Sequence, residues 1–282
     1  DFKNNVKPNW CPGCGDYAVQ AALQQAAVKL GLEPHQLAIV CGTGCSGRLS
    51  GYVYAYGMHT THGRALPFAQ GLKLANPKLT VVACGGDGDG MAIGLGHTYH
   101  AIRRNVNLTY ILMDNHVYGL TKGQTSPRSD WGFKTKTTPE GNIETPVATL
   151  EMALSAGASF VAQGFSTELQ QLVDLIVAAV KHPGFSLVNV FSPCVTFNKV
   201  NTYDWFKERL LDINSIGDYD RHDKGKVLQH ILAHEGLLTG LLYEDEAKKS
   251  YEEVSGLANN NQMQSVRKFT TDEFNQLVED FR

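Results

Sequence analysis

The segment Gly86-Asp87-Gly88-Asp89-Gly90, followed by Asp114-Asn115-His116-Val117, constrains this chain more than any other feature. Each cluster ends an apolar, β-branched run, residues 79–84 before the first and 108–113 before the second. Such runs, closed by Gly and Asp, read as buried strands that stop at a loop. The spacing between them fits one crossover helix plus a strand. Neighbouring parallel strands would then deliver Asp87 and Asn115 to one edge, and open α/β sheets bind ligands at that edge, the carboxyl ends of the strands. Glycines on both sides of Asp87 let the backbone approach a phosphate closely and leave amide N–H groups free to donate. One carboxylate, one side-chain amide and a main-chain carbonyl suit Mg²⁺, which usually keeps diphosphate oxygens as further ligands. GDG alone is a common turn. With the second cluster at this distance, it reads as a metal-bridged diphosphate site.

The rest of the chain alternates in the same way. Val19, Ala22, Leu23, Ala26, Ala27 and Leu30 form one apolar helical stripe, with Asp16 as the expected N-cap and Gly31 near the end. Strands are expected at residues 37–41, 159–162 and 185–191, and helices at 64–75, 90–104, 146–155 and 167–181. The stretches 42–63 and 122–144 read as long loops, and long loops inside a compact domain are usually functional or mobile. This βαβ alternation predicts an α/β fold, a parallel twisted sheet with helices on both faces, over residues 1–196. From 197 to 282 the chain is more charged, with polar stretches at 218–226 and 258–264 and amphipathic helices at 227–242 and 271–281. That segment reads as a C-terminal helical or extended arm packing on a partner subunit, or as a small helical subdomain.

Composition narrows the class of protein. A net charge of -3, a pI near 6.4 and no basic patch interleaved with aromatics argue against nucleic acid as a partner. No apolar run is long enough for a membrane span, and the polar residues 1–9 lack the hydrophobic stretch of a signal peptide. A cytoplasmic enzyme is the expectation. Six cysteines in 282 residues are too few and too unevenly placed for a disulfide scaffold. Cys41 and Cys84 fall within apolar strands and read as buried thiols. Cys11 and Cys14 form a CxxC turn ahead of the first helix; Cys45 follows the first strand and Cys194 the last. CxxC alone serves redox chemistry, zinc or an iron–sulfur site. No second CxxC completes a zinc ribbon, so a cluster would need two further ligands from afar; Cys45 and Cys194 stand at strand ends that a parallel sheet can gather at one edge.

The Gly86-Asp87-Gly88 and Asn115 pair resembles the thiamine-diphosphate fingerprint. More specifically, CPGCGD, GTGCSGR, THGRALPFAQGLK, GDGDGMAIG, MDNHVYGLTKGQTSP and FSPC, in this order over about residues 8–200, resemble the β subunit of the 2-oxoacid:ferredoxin oxidoreductases, of the 2-oxoglutarate type. The resemblance implies the diphosphate-binding half of the thiamine-diphosphate fold. It implies Mg²⁺ on Asp87, Asn115 and the carbonyl of Val117, and a 4Fe–4S cluster on Cys11, Cys14, Cys45 and Cys194. It further implies a cofactor site formed by Gly44, Cys45, Ser46, His62, Gly86, Asp87, Gly88, Asp89, Asn115, Val117, Gly119, Leu120 and Thr121.

The implied chemistry is oxidative decarboxylation of a 2-oxoacid. The cofactor carbanion adds to the ketone, CO₂ leaves, the cluster takes electrons singly, coenzyme A takes the acyl group and ferredoxin takes the electrons; at low enough potential the reaction fixes CO₂. Arg48 is the candidate clamp for the distal carboxylate of 2-oxoglutarate, against the bland reading of a surface arginine. His62 is the candidate to contact the diphosphate or a reacting oxygen, against that of a satisfied local hydrogen bond. Leu120 would shape the substrate pocket. His97 and His100, at i and i+3, have no acidic partners and read as helix-surface residues. The glutamate that thiamine enzymes set against the aminopyrimidine belongs to a second domain absent here. The resemblance therefore implies that an obligate α partner brings this glutamate and the coenzyme A site, in an αβ or (αβ)₂ assembly. The competing readings are pyruvate as substrate, a non-redox thiamine decarboxylase or synthase, and a zinc-stapled subunit without catalysis.

Overall fold

β-Branched and apolar runs become strands buried on both faces, which is why they show no polar alternation. The computed structural model describes residues 2–257 and 270–280; the polar stretch at 258–264 and Phe281 lie outside the described residues. Strands β1 (Leu37–Cys41), β3 (Thr80–Gly86), β4 (Leu108–Asp114), β6 (Phe185–Phe191) and β5 (Phe160–Phe165) lie side by side in that order, each parallel to its neighbour. Alternate residues of each strand feed opposite cores. Ile111 and Met113 pack with α1 (Asp16–Lys29) and α5 (Leu169–Lys181). Tyr110 and Leu112 pack with α2 (Ala65–Ala75), α3 (Leu95–Arg104) and α4 (Thr149–Ser155). Among the described residues no helix is long and apolar enough to cross a membrane.

Three elements depart from the sequence reading. The first lies in the loop expected over 42–63, which contains a 3₁₀ turn at Ser46–Gly51 and an edge strand, β2 (Tyr56–His59), parallel to β1 and exposed at all four positions. The helix expected from Gly90 is the second. It begins instead as a π-helical turn, Asp89–Ile93, broken at Ala92 (φ -101°, ψ -108°) before α3 starts. Such π turns favour functional sites.

The third is the C-terminal segment, which adds α6 (Tyr203–Lys207), the short β7 (Leu211–Asp212), α7 (Lys224–Ala233), β8 (Leu238–Glu244), α8 (Tyr251–Val254) and α9 (Thr271–Asp280). The helix expected over 227–242 stops at Ala233, because Glu235 and Gly236 take left-handed φ values of 52° and 73°. The chain then turns into β8, antiparallel to β5, and extends the main sheet. Of these elements, only α9 is exposed at every described position.

Connections set the site. From β1 the chain goes outward to β2, then crosses back through α2 to β3 on the other side of β1. β1 and β3 are therefore left in opposite directions, and the crevice at their carboxyl ends is where such sheets take ligands.

Candidate cofactor site

That crevice is a cavity of about 360 Å³, lined by residues 43–46 after β1, His62, 86–89 after β3, Asn115 and 117–121 after β4, with Asp16 from the start of α1. All thirteen residues that the sequence assigns to the cofactor line it. Arg48 does not; it is exposed on the 3₁₀ turn after Cys45.

Asp87 is 1% exposed and accepts a short hydrogen bond from the Ser126 hydroxyl. Burial and the nearby Asp114 push its pKa up to about 7, against the pull of Ser126, His116 and Arg128. A buried carboxylate in this condition is stabilised by a bound cation. Across from it, Asn115 Oδ1 accepts the Val117 N–H at 3.0 Å, a tight turn permitted by the left-handed φ of 59° at His116. A carbonyl-type oxygen has a second lone pair, so that turn leaves Asn115 able to ligate. These donors fit Mg²⁺ with diphosphate oxygens.

Asp89 is committed elsewhere. Its Oδ1 accepts the N–H groups of Thr43 (2.9 Å) and Gly63 (2.7 Å), and His62 Nδ1 lies 2.9 Å from the same oxygen without hydrogen-bond alignment. Asp89 therefore ties the loop after β1 and the turn before α2 to β3. Gly88 is held by the loop after β4. The Tyr118 hydroxyl donates to the Gly88 carbonyl at 3.0 Å, and a Cβ at Gly88 would stand 2.1 Å from the Tyr118 ring.

The loop at 122–144 folds back beneath the site. Ser126 reaches Asp87, and Arg128 Nε donates to the fully buried Asp114 Oδ2 at 2.9 Å. Burial alone would raise the Asp114 pKa, but Arg128 and His116 outweigh it and hold the carboxyl well below the usual range. Asp114 likewise lifts His116 to about 9 despite the opposing effect of burial.

The cysteine-bearing segments meet at the same wall. A Cβ at Gly119 would stand 3.5 Å from Cys194 Sγ and 3.6 Å from Cys45 Sγ. Cys11 and Cys14 share a turn closed by the Cys14 N–H on the Cys11 carbonyl at 3.0 Å. Burial, then Asp16 and the charges of Cys194 and Cys11, raise the Cys45 thiol to about 12. Burial first, and then Asp16, Cys45 and Cys194, push Cys14 still higher. The four cysteines thus share one electrostatic neighbourhood, and a metal there would offset the burial that keeps Cys14 and Cys45 as thiols. No three His, Cys, Asp or Glu side chains among the described residues are grouped closely enough for a single ion.

Sequence reasoning missed Asp16, Tyr118, Ser126 and Arg128. Tyr118 and Ser126 lie inside a motif already singled out and Arg128 directly follows it, so proximity in sequence was the signal available for them. Asp16 is not the expected N-cap; Gly15 occupies that place, and the Asp16 carboxylate turns inward to Ser192.

Residues 42–190 match the family described as "Thiamine pyrophosphate enzyme, C-terminal TPP binding domain", and residues 194–259 match the family described as the C-terminal part of the pyruvate ferredoxin oxidoreductase β chain. The chain is 40% identical over 257 residues to the 2-oxoacid:ferredoxin oxidoreductase subunit beta of Sulfolobus sp, covering 87% of this chain and 84% of that one. It is 44% identical over 198 residues to 2-oxoglutarate synthase subunit KorB of Archaeoglobus fulgidus, covering 70% and 74% respectively. Among solved structures, a 2-oxoglutarate:ferredoxin oxidoreductase from Magnetococcus marinus, with 2-oxoglutarate, coenzyme A and succinyl-CoA bound, superposes with a TM-score of 0.91 at 38% identity. The match covers 100% of this chain and 95% of that one.

Proposed function

The chain belongs to the β subunits of the 2-oxoacid:ferredoxin oxidoreductases, and we propose that it binds thiamine diphosphate through Mg²⁺ beside a 4Fe–4S cluster and works on 2-oxoglutarate. As a β subunit it acts with an α subunit in the oxidative decarboxylation of a 2-oxoacid. The observation that carries the fuller reading is one wall of one cavity. It holds the buried Asp87 and the half-buried Asn115, and at Gly119 it meets the sulfurs of Cys45 and Cys194. When bound, thiamine diphosphate supplies a carbanion and an electron sink, and a 4Fe–4S cluster supplies a one-electron acceptor.

Asp87, Asn115 and the Val117 carbonyl would hold Mg²⁺, with Ser126 fixing the Asp87 carboxylate from behind. Cys11, Cys14, Cys45 and Cys194 would hold the cluster. His62, with Nδ1 toward Asp89, is left with Nε2 to meet the diphosphate or a reacting oxygen. Leu120 and Thr121 extend the cavity wall toward the substrate. Arg48, exposed beside Cys45, is the clamp for the distal carboxylate. The names of the KorB relatives and the 2-oxoglutarate bound in the Magnetococcus enzyme support this substrate. The α subunit would supply the glutamate and the coenzyme A site in an αβ or (αβ)₂ assembly, and ferredoxin would take the electrons. The cysteines form no disulfide, which fits a reducing cytoplasm.

The test is anaerobic turnover of the αβ enzyme with coenzyme A and ferredoxin, comparing kcat/KM for 2-oxoglutarate and pyruvate. The reading predicts a preference for 2-oxoglutarate. A preference for pyruvate would replace the substrate, and no ferredoxin reduction with either acid would overturn the whole reading.

A further inference from the structure

We propose that Asp16 is a positioning residue for the cysteine site, its carboxylate bracing the turn that carries Cys11 and Cys14 against the segment that carries Cys194. The proposal rests on the reading of the four cysteines as cluster ligands. An acidic residue in the first turn of a helix is ordinarily solvated and already stabilised by the free N–H groups and the helix dipole. Asp16 instead is 1% exposed, and among the described residues no basic side chain forms an ion pair with it. Burying a carboxylate this way costs stability unless hydrogen bonds repay the lost water.

The hydrogen bond it makes crosses 176 residues of sequence. Asp16 Oδ1 accepts the Ser192 hydroxyl at 2.6 Å. Ser192 stands two residues before Cys194, and its own N–H donates to the Asp114 carbonyl at 2.9 Å, continuing β6 alongside β4. The chain of contacts therefore runs from the sheet, through Ser192 and Asp16, to the start of α1, two residues after Cys14. Gly15 makes the joint close: a Cβ there would stand 2.6 Å from Ser192 Oγ, 2.8 Å from Ser192 Cα and 2.9 Å from Ser166 Oγ. Tyr203 donates its hydroxyl to the Gly13 carbonyl at 2.9 Å and fixes the turn at another point. Asp16 Oδ2 is buried without a hydrogen-bond partner, and the residue lines the cavity wall next to Cys45. A brace between two ligand-bearing segments accounts for a carboxylate kept in so unfavourable a place.

The experiment uses the anaerobically assembled αβ holoenzyme as wild type, Asp16→Asn, Asp16→Ala and Ser192→Ala. Iron release from the dithionite-reduced protein to a ferrous chelator is timed, and the paramagnetic resonance spectrum of the reduced cluster is recorded. Asparagine keeps a carbonyl oxygen for the Ser192 hydroxyl; alanine at either position removes the bond. Outer-shell partners of metal ligands change metal retention by about 10–100-fold, so Asp16→Ala and Ser192→Ala should release iron faster by about that factor, with an altered spectrum. Asp16→Asn should stay near wild type in both readouts. Wild-type release rates in Asp16→Ala, or an Asp16→Asn as leaky as Asp16→Ala, would overturn the brace. If Asp16→Ala fails to assemble, Ser192→Ala carries the same test with the carboxylate intact. A wild type without iron would instead sink the cluster reading.

Discussion

Replacing Arg128 by Met tests whether the loop at 122–144 is a fixed support of the site or a free cover. Arg128 Nε donates to Asp114 Oδ2 at 2.9 Å and Nη1 to the Val147 carbonyl at 2.7 Å. Asp114 is fully buried, so losing its guanidinium strands a carboxylate, a change that costs about 3–5 kcal/mol. The Val147 carbonyl loses a charged donor as well, adding about 1 kcal/mol or more. His116 remains 3.4 Å from Asp114 and carries a raised pKa of about 9, which holds the total near the lower end, about 4 kcal/mol. In a domain of this size each kcal/mol moves the melting temperature by about 2–4 °C, so the expected fall is about 8–16 °C. The assay is calorimetry of the assembled, cofactor-loaded enzyme at one fixed scan rate, since unfolding of such assemblies is commonly irreversible. Adding Asp114→Asn should recover much of the loss in the Arg128→Met background while destabilising the wild type. An Arg128→Met enzyme that melts like wild type, or an equal Asp114→Asn cost in both backgrounds, would refute the reasoning.

Three further outcomes are expected. Gly88→Ala places a methyl 2.1 Å from the Tyr118 ring; equilibrium dialysis should show thiamine diphosphate affinity falling about 5–150-fold, as a core clash of about 1–3 kcal/mol implies, with iron content unchanged. Asp87 has a folded pKa raised to about 7 by burial, so its favourable contribution is present below the unfolded carboxylate pKa and is lost as pH rises through 7. The metal-free protein should accordingly lose stability between about pH 4 and 7, Asp87→Asn should flatten that slope, and Mg²⁺ with thiamine diphosphate should stabilise wild type but not the variant; equal slopes would contradict the assignment. Arg48→Leu should raise the KM for 2-oxoglutarate far more than that for pyruvate, and equal effects would remove Arg48 from substrate recognition.

The strands and the cavity were legible because they follow from local patterns. The runs that became β3, β4 and β6 are apolar over most of their length, and each stops where a glycine or polar residue begins the site. β2 carried no such signal: Tyr56-Gly57-Met58-His59 is exposed on both faces and is held by pairing with β1 and by the 3₁₀ turn at Ser46–Gly51, whose Ser50 carbonyl lies against Gly57. β8 was hidden because Leu238, Leu241 and Leu242 continue the helical spacing of Val227 and Ile231. The break at Glu235-Gly236 was a readable helix end that the apolar pattern outweighed. At the site, the residues that point into the cavity were readable from motifs. Those that act from behind, Ser126 on Asp87, Arg128 on Asp114 and Asp16 on Ser192, are contacts between segments, and a linear pattern does not encode such distances.

The central claim is that one cavity edge serves both a thiamine cofactor and an iron–sulfur cluster. Iron, zinc and visible-spectrum analysis of the αβ protein purified without oxygen, before and after dithionite, tests it most directly. The account predicts about four irons for the Cys11, Cys14, Cys45 and Cys194 site and a brown absorption that bleaches on reduction. One zinc and no colour would contradict it.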